Sequence, residues 1–389
     1  MDQYASRSLA RWRTRLAWAL AVGAVLGTGT ERASAQATDG KQVFRFDTFG
    51  NEKFWTDTLR IHEVIASAVD PTTALTVGLK VDSEVLPPGI LQKVDLKSPA
   101  TTVALLKMNA VVGIKGTVES KDGKDTLTRV GITCALCHST VDDSVMPGIG
   151  KRLDGWPNRT LNPGAIIALS PALDAAKKQV YNSWGAGKYD PRFNQDGKNG
   201  PVLIPPAYGL ADSKHATYTG DGDISYWNQY VAVTQMGGQG EFKEPKLGID
   251  VKPTGPDLVK PKLAALRDYQ HSLRAPAPPA SSVDTGAAGR GKALFTGAAK
   301  CSSCHAGSAL THDTLHAPAE TGMEPTYAAR SASKKYRATP LRGLWQHAPY
   351  FHDGKAATLD AVVDHYVSAL KLSLTADQKK DLVAYLKSI

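Results

Sequence analysis

Apolar positions recur at helical spacing most plainly at the end of the chain. Leu382, Tyr385, Leu386 and Ile389 share one face, behind Thr375-Ala-Asp-Gln378, which reads as a capping box. Leu263, Leu266, Tyr269 and Leu273 repeat that stripe earlier, and Gly289 to Lys300 reads as a further helix. Before residue 130 the pattern is looser. Phe54-Trp55-Thr-Asp-Thr-Leu59-Arg-Ile61-His62 predicts the start of an amphipathic helix, and residues 99 to 112 predict another. Val77-Gly-Leu-Lys-Val81 and its β-branched neighbours predict a short strand or two. The expected class is mainly α, with a mixed region over 36–125.

The first residues follow a different pattern. Arg7, Arg11, Arg13 and Arg15 precede an apolar run from Leu16 to Gly27, and Ala33-Ser34-Ala35 offers a cleavage site. This is the layout of a secretory leader over 1–35, with the mature chain starting near Gln36. The run is too short to span a bilayer comfortably, and no later stretch is long and apolar enough to do so. The mature chain is therefore expected in the periplasm without a membrane span.

Signatures recur in the same order in the two halves. Pro206-x-x-Gly209-Leu210, Asp221-Gly222 and Leu266-x-x-Tyr269-x-x-Ser272-Leu273 occupy one. Pro340-x-x-Gly343-Leu344, Asp353-Gly354 and Leu382-x-x-Tyr385-x-x-Ser388-Ile389 occupy the other. Between them Ala275-Pro-Ala-Pro-Pro-Ala-Ser-Ser282 cannot continue a helix and suits a semi-rigid linker. The expected organisation is an extension over 36–125, a first domain over 126–274, the linker over 275–282 and a second domain over 283–389.

Composition sharpens this at the cysteines. All four lie in C-x-x-C-H, at Cys134-Ala-Leu-Cys137-His138 and Cys301-Ser-Ser-Cys304-His305. A disulfide pair or a zinc site does not require His directly after both pairs. Covalent haem attachment does: two thiols add to the vinyl groups, and His138 or His305 becomes the proximal iron ligand. Two haem c groups are expected, one in each of two tandem class I cytochrome c-like domains. The formal charge of +9 falls to +6 without the leader, whose five Arg oppose only Asp2 and Glu31. No dense Lys/Arg run with interleaved aromatics supports nucleic acid binding. A mildly basic surface suits docking of periplasmic redox partner proteins.

Thr339-Pro-Leu-Arg342-Gly-Leu-Trp-Gln-His-Ala-Pro349-Tyr-Phe351-His352-Asp353-Gly354, followed by Ala357 to Tyr366, resembles the C-terminal haem domain of the bacterial dihaem cytochrome c peroxidases. It is equally similar to that of the dihaem enzyme that matures methylamine dehydrogenase. The resemblance covers roughly residues 286 to 389, and the first hundred residues do not share it. It implies an electron-transfer haem at His305. The peroxidases place a Met ligand twelve residues beyond the Gly of the Asp-Gly pair; here that residue is Tyr366, as in the maturation enzyme. Met323 and His365 are its rivals, and His347 and His352 read as structural.

At the first haem the resemblance implies a peroxide site, and the chain departs from it. Lys151 of Gly148-Ile149-Gly150-Lys151 stands where the family has a loop histidine. Gln235-Met236-Gly237 replaces a Glu-Met-Gly stretch whose Glu works as acid and base. A Trp between the haems is missing, with Trp227 and Trp156 the nearest candidates. Met236 reads either as the second ligand of this haem or as pocket lining, and Met146 is a further candidate. His62 reads as structural. The leading expectation is single-electron transfer through two haems. Peroxide reduction at the first haem is the alternative, and a haem-dependent oxygenase acting on an organic substrate is a third.

Overall fold

Asp39 opens α1 (Gly40–Phe46) by accepting the Lys41 N–H at 2.8 Å, and Val43 and Phe44 are the buried side of this short helix. The computed structural model describes residues 38–211 and 213–389, so the expected leader lies outside the described residues. After α1 the chain makes a π-helical turn at Lys53–Thr58 and restarts as α2 (Ile61–Ala68). The helix expected to run from Phe54 through His62 is broken because Arg60 adopts a left-handed conformation, φ 55°. The strand expected over Val77–Val81 is reduced to β1 (Val81–Asp82). Likewise α3 (Pro99–Lys107) stops short of residue 112, and the chain turns away at Asn109, φ 55°.

The longest strands were not expected. A hairpin joins β2 (Ile114–Lys121) to β3 (Lys124–Ile132) through Asp122-Gly123, both at positive φ, as a tight antiparallel turn requires. Ile114, Leu127 and Val130 face inward, against Trp55, Leu105, Leu106 and Leu136. After the first C-x-x-C-H, β4 (Ile149–Gly150) pairs in parallel with β1, and the buried Arg152 meets Asp82 at 3.1 Å.

The rest is mainly helical: α4 (Ile224–Thr234), α5 (Leu263–Ser272), α6 (Thr285–Thr296), α7 (Leu359–Ala369) and α8 (Ala376–Lys387). The capping box on α8 is present in full. Its buried stripe is Leu382, Val383, Tyr385 and Leu386, with Ile389 only partly covered. The helix expected over Gly289 to Lys300 is α6, ending at Thr296.

Two helix crossings are built alike. In the second half a Cβ on Gly291 of α6 would collide with the Asp381 carbonyl of α8, and the Phe295 and Tyr385 rings lie 5.1 Å apart. In the first, a Cβ on Gly40 of α1 would collide with the Ala265 carbonyl of α5, and Phe44 lies 5.5 Å from Tyr269. The glycines allow the backbones into contact, and the aromatic pairs fill the crossing. Part of the segment read as an extension over 36–125 thus supplies α1 to this crossing, while residues 47–132 lie between α1 and Cys134.

Residues 38–389 form one compact unit. Arg330 reaches from the second half to Asp190 at 2.9 Å and Asp196 at 2.7 Å in the first. Asp221 pairs with Arg192 at 2.6 Å and accepts the Ser333 N–H at 2.9 Å. The two Pro-x-x-Gly-Leu turns face one another. Gly343, at φ 61°, passes so close to Tyr208 that a Cβ would sit 2.8 Å from its hydroxyl, and Gln346 donates to that same oxygen. Trp156 and Trp345 pack edge to face at 6.1 Å.

Candidate haem-binding cavities

The first C-x-x-C-H forms one turn of helix, with the His138 N–H donating to the Cys134 carbonyl at 3.2 Å. The second forms a 3-10 turn in which His305 N–H donates to Cys301 at 3.0 Å. The turns bring both sulfurs and the imidazole of each motif to one cavity wall. His138 Nδ1 lies 3.0 Å from the Pro205 carbonyl, and His305 Nδ1 lies 3.0 Å from the Leu310 carbonyl. A carbonyl only accepts, so Nδ1 carries the proton and Nε2 keeps its lone pair for a metal. Burial pushes both imidazoles down to about 4, which holds them neutral at physiological pH.

The thiols behave in the complementary way. All four cysteines are free. Burial pushes Cys134 and Cys137 up to about 12 and Cys301 up to about 11. Protonated thiols in apolar walls are poor ligands for a hard or borderline cation, since metal binding uses the thiolate. Paired thiols beside a neutral imidazole with a free Nε2 fit the covalent attachment of haem.

Each motif opens on its own cavity. The smaller, of about 180 Å³, is lined by Cys134, Cys137, His138, Gln235 and Met236. The larger, of about 430 Å³, is lined by Cys301, Cys304, His305, Met323 and Tyr366. Met236 is buried, and its backbone is fixed by Trp55 Nε1 donating to its carbonyl at 2.9 Å. Burial raises the Tyr366 phenol well above its ordinary range, so a neutral hydroxyl faces this cavity.

Other candidates are placed elsewhere. His365 lines neither cavity: its Nε2 lies 2.9 Å from the Thr321 carbonyl and its ring packs on Phe351. Met146 is 37% exposed in a tight bend with Ile149, also outside both cavities. Lys151 is exposed and lines neither, and His62 lies on α2 away from both. Trp227 lines the smaller cavity, whereas Trp156 does not. His347 and His352 line the larger one; His352 lies 3.1 Å from the Tyr336 hydroxyl and stacks against Tyr327 and Tyr336.

Gln235 is held in place by its neighbours. Its Oε1 accepts from the Tyr189 hydroxyl at 3.0 Å and from Asn194 at 3.4 Å. Among the described residues, no Asp or Glu lines the smaller cavity. The sequence reading missed Tyr218 and Arg337, which line both cavities together with Pro205, Pro206 and Leu210. Of these five, only Pro206 and Leu210 belonged to a recognisable signature, Pro206-x-x-Gly209-Leu210.

His312 and His316 approach one another beside Cys304, with Nε2 atoms 3.4 Å apart. Thr314 N–H donates to His312 Nδ1, which places the His312 proton on Nε2 and points it at His316. His316 then donates through Nδ1 to Glu320 at 3.0 Å. The cluster is a satisfied hydrogen-bond chain and leaves His312 without a free lone pair for a metal.

Residues 335–367 match the sequence family described as RoxA-like, cytochrome c-like. A stretch of 118 residues is 30% identical to methylamine utilization protein MauG of Methylorubrum extorquens, covering 26% of this chain and 33% of that protein. The chain spans about a third of the length of this curated relative. Among solved structures, Kuenenia stuttgartiensis hydrazine synthase aligns with a TM-score of 0.36 at 17% identity, over 49% of this chain and 73% of the other. A MauG-like protein associated with microbial copper homeostasis aligns with a TM-score of 0.34 at 20% identity, over 49% and 74%. The Thr339-to-Tyr366 stretch lies within the family match, and the expected resemblance is met by the similarity to MauG. No helix among the described residues is long and apolar enough to cross a membrane.

Proposed function

We propose that this chain is a periplasmic dihaem c-type cytochrome that passes single electrons between redox partner proteins. One haem would attach to Cys134 and Cys137 with His138 as its proximal ligand, the other to Cys301 and Cys304 with His305. Haem supplies the one-electron chemistry when bound. The protein supplies neutral imidazoles oriented by backbone carbonyls and largely apolar cavity walls. On this reading the chain holds two tandem cytochrome c-like domains, the first comprising α1 and the segment from Cys134 to α5, the second running from α6 to α8, and the alike glycine-and-aromatic crossings at Gly40 and Gly291 support it. Residues 47–132 would be an insertion within the first. Met236 is the candidate second ligand in the smaller cavity, and Tyr366 or Met323 in the larger.

The observation that carries electron transfer over peroxide chemistry is the lining of the smaller cavity. It offers a buried thioether, Met236, and a pinned amide, Gln235, but no carboxylate among the described residues. Cleaving a peroxide O–O bond needs a group that takes up and returns a proton, and an amide does neither. The similarity to MauG favours a second reading, in which the haem at His138 stays open and reacts with peroxide or oxygen. The spin state of the ferric protein separates the two. Electron transfer predicts two low-spin, six-coordinate haems by electron paramagnetic resonance, and loss of one low-spin signal in Met236→Ala. A high-spin ferric haem in the unaltered protein would overturn it in favour of the open site.

A further inference from the structure

The three fully buried arginines among the described residues are paired. Arg152 meets Asp82, Arg192 meets Asp221, and Arg330 meets Asp190 and Asp196. Arg337 has no carboxylate partner among the described residues. One terminal nitrogen donates to the His215 carbonyl and, at 3.0 Å, to Ser213 Oγ, while its buried Nε has no partner. Its backbone is fixed by the Tyr218 carbonyl, which accepts the Arg337 N–H at 3.0 Å, and by the two-residue strand pairing Tyr336–Arg337 with Leu315–His316. Burial pushes the guanidinium down to about 10, as expected for a cation withdrawn from water without a counter-ion. The half-buried Arg159 and Arg342 likewise have no carboxylate partner among the described residues; the terminal nitrogens of Arg159 donate to the Ile204 and His347 carbonyls, and its buried Nε has no partner.

These arginines differ in one respect. Arg159 and Arg342 line only the larger cavity, whereas Arg337 lines both. A buried cation facing a ligand cavity without a protein counter-ion calls for an anion carried by the ligand. Each haem brings two carboxylates. Resting on the dihaem reading, we propose that Arg337 is a cation shared by the two cavities, holding a carboxylate of the group bound at Cys134 and Cys137 and one of the group bound at Cys301 and Cys304. Arg159 serves the larger cavity alone. One fixed positive charge then biases both centres toward the reduced state, since reduction adds negative charge beside it.

The test is a redox titration of the full holoprotein and its Arg337→Gln and Arg159→Gln variants, followed by absorbance alongside measured haem content. Each potential is assigned in a variant lacking one attachment pair, Cys134→Ser/Cys137→Ser or Cys301→Ser/Cys304→Ser. Arg337→Gln is expected to lower both midpoint potentials, and Arg159→Gln only that of the haem at His305. Arg337→Lys, which keeps the charge, is expected to hold both near their original values, and serves if the Gln variant does not fold. Two haems at full content with only one potential moved by Arg337→Gln, or neither, overturn the sharing. A native protein that carries a single haem instead overturns the dihaem reading and the sharing with it.

Discussion

His347 shows how the larger cavity sets the protonation of the groups around it. Burial is the first cause, and the neighbouring Arg159 guanidinium adds to it; together they push this imidazole down to about 4. In the unfolded chain a histidine titrates near 6.5. Between these values the unfolded state binds a proton that the folded state refuses, so the contribution is complete above pH ~6.5 and declines on acidification. The gap corresponds to about 3 kcal/mol once pH reaches ~4. His347→Gln is expected to flatten the fall of the urea midpoint between pH 6.5 and 4.5; an unchanged slope would show that His347 is not its source. At this scale the sequence was most legible where chemistry fixes spacing. Cys134, Cys137 and His138, like Cys301, Cys304 and His305, meet at one wall because a single turn joins them. Arg337 was not legible, because its role depends on the meeting of two halves that no local pattern encodes.

Between α6 and α8 the decisive feature is the absence of one atom. Gly291 lets the Asp381 carbonyl approach where a Cβ would collide with it. Gly291→Ala must therefore spread the helices or bend them, at about 1–3 kcal/mol by analogy with overpacked cores. Gly289 lies on the same helix with nothing within 4 Å of where its Cβ would stand. Gly289→Ala is expected to leave stability unchanged or raise it by about 0.5–1 kcal/mol, because alanine is the better helix former. Opposite signs in urea denaturation support the crossing as described, and equal effects count against it. Helices with an apolar stripe, α5 and α8, could be read directly from the sequence, and α8 also by its capping box. Residues 47–132 could not: the π-helical turn and α3 stop just before Arg60 and Asn109, left-handed residues with no glycine to announce them. The Asp122-Gly123 turn was a hairpin signal that the apolar pattern alone obscured.

Across the whole molecule, the two halves meet through a buried ionic knot as well as the apolar packing of Val202 against Tyr327 and Tyr336. Arg330 binds Asp190 and Asp196, and Asp190 also accepts the backbone N–H groups of Arg192 at 2.9 Å and Gly200 at 2.7 Å. Asp190 is fully buried, and Arg330 nearly so. Such a pair gives little net stability relative to an apolar replacement, yet removing one member strands the other. Arg330→Met is therefore expected to cost about 3–5 kcal/mol, much of it from the two carboxylates left without their cation. Asp190→Asn alone should cost less, since Asp196 remains to pair with Arg330. The double variant should be less destabilised than the two single effects added together, because the stranded charge on Asp190 is then gone. Denaturation of the four proteins yields that coupling, and strict additivity would refute the knot. The same variants carry a second readout. Loosening the knot is expected to raise proteolysis of the uncharged 275–282 segment, whose Pro276 carbonyl accepts from Trp345 Nε1 of the second half at 3.1 Å. Cleavage elsewhere at an unchanged rate would place the weak seam of the molecule away from the linker.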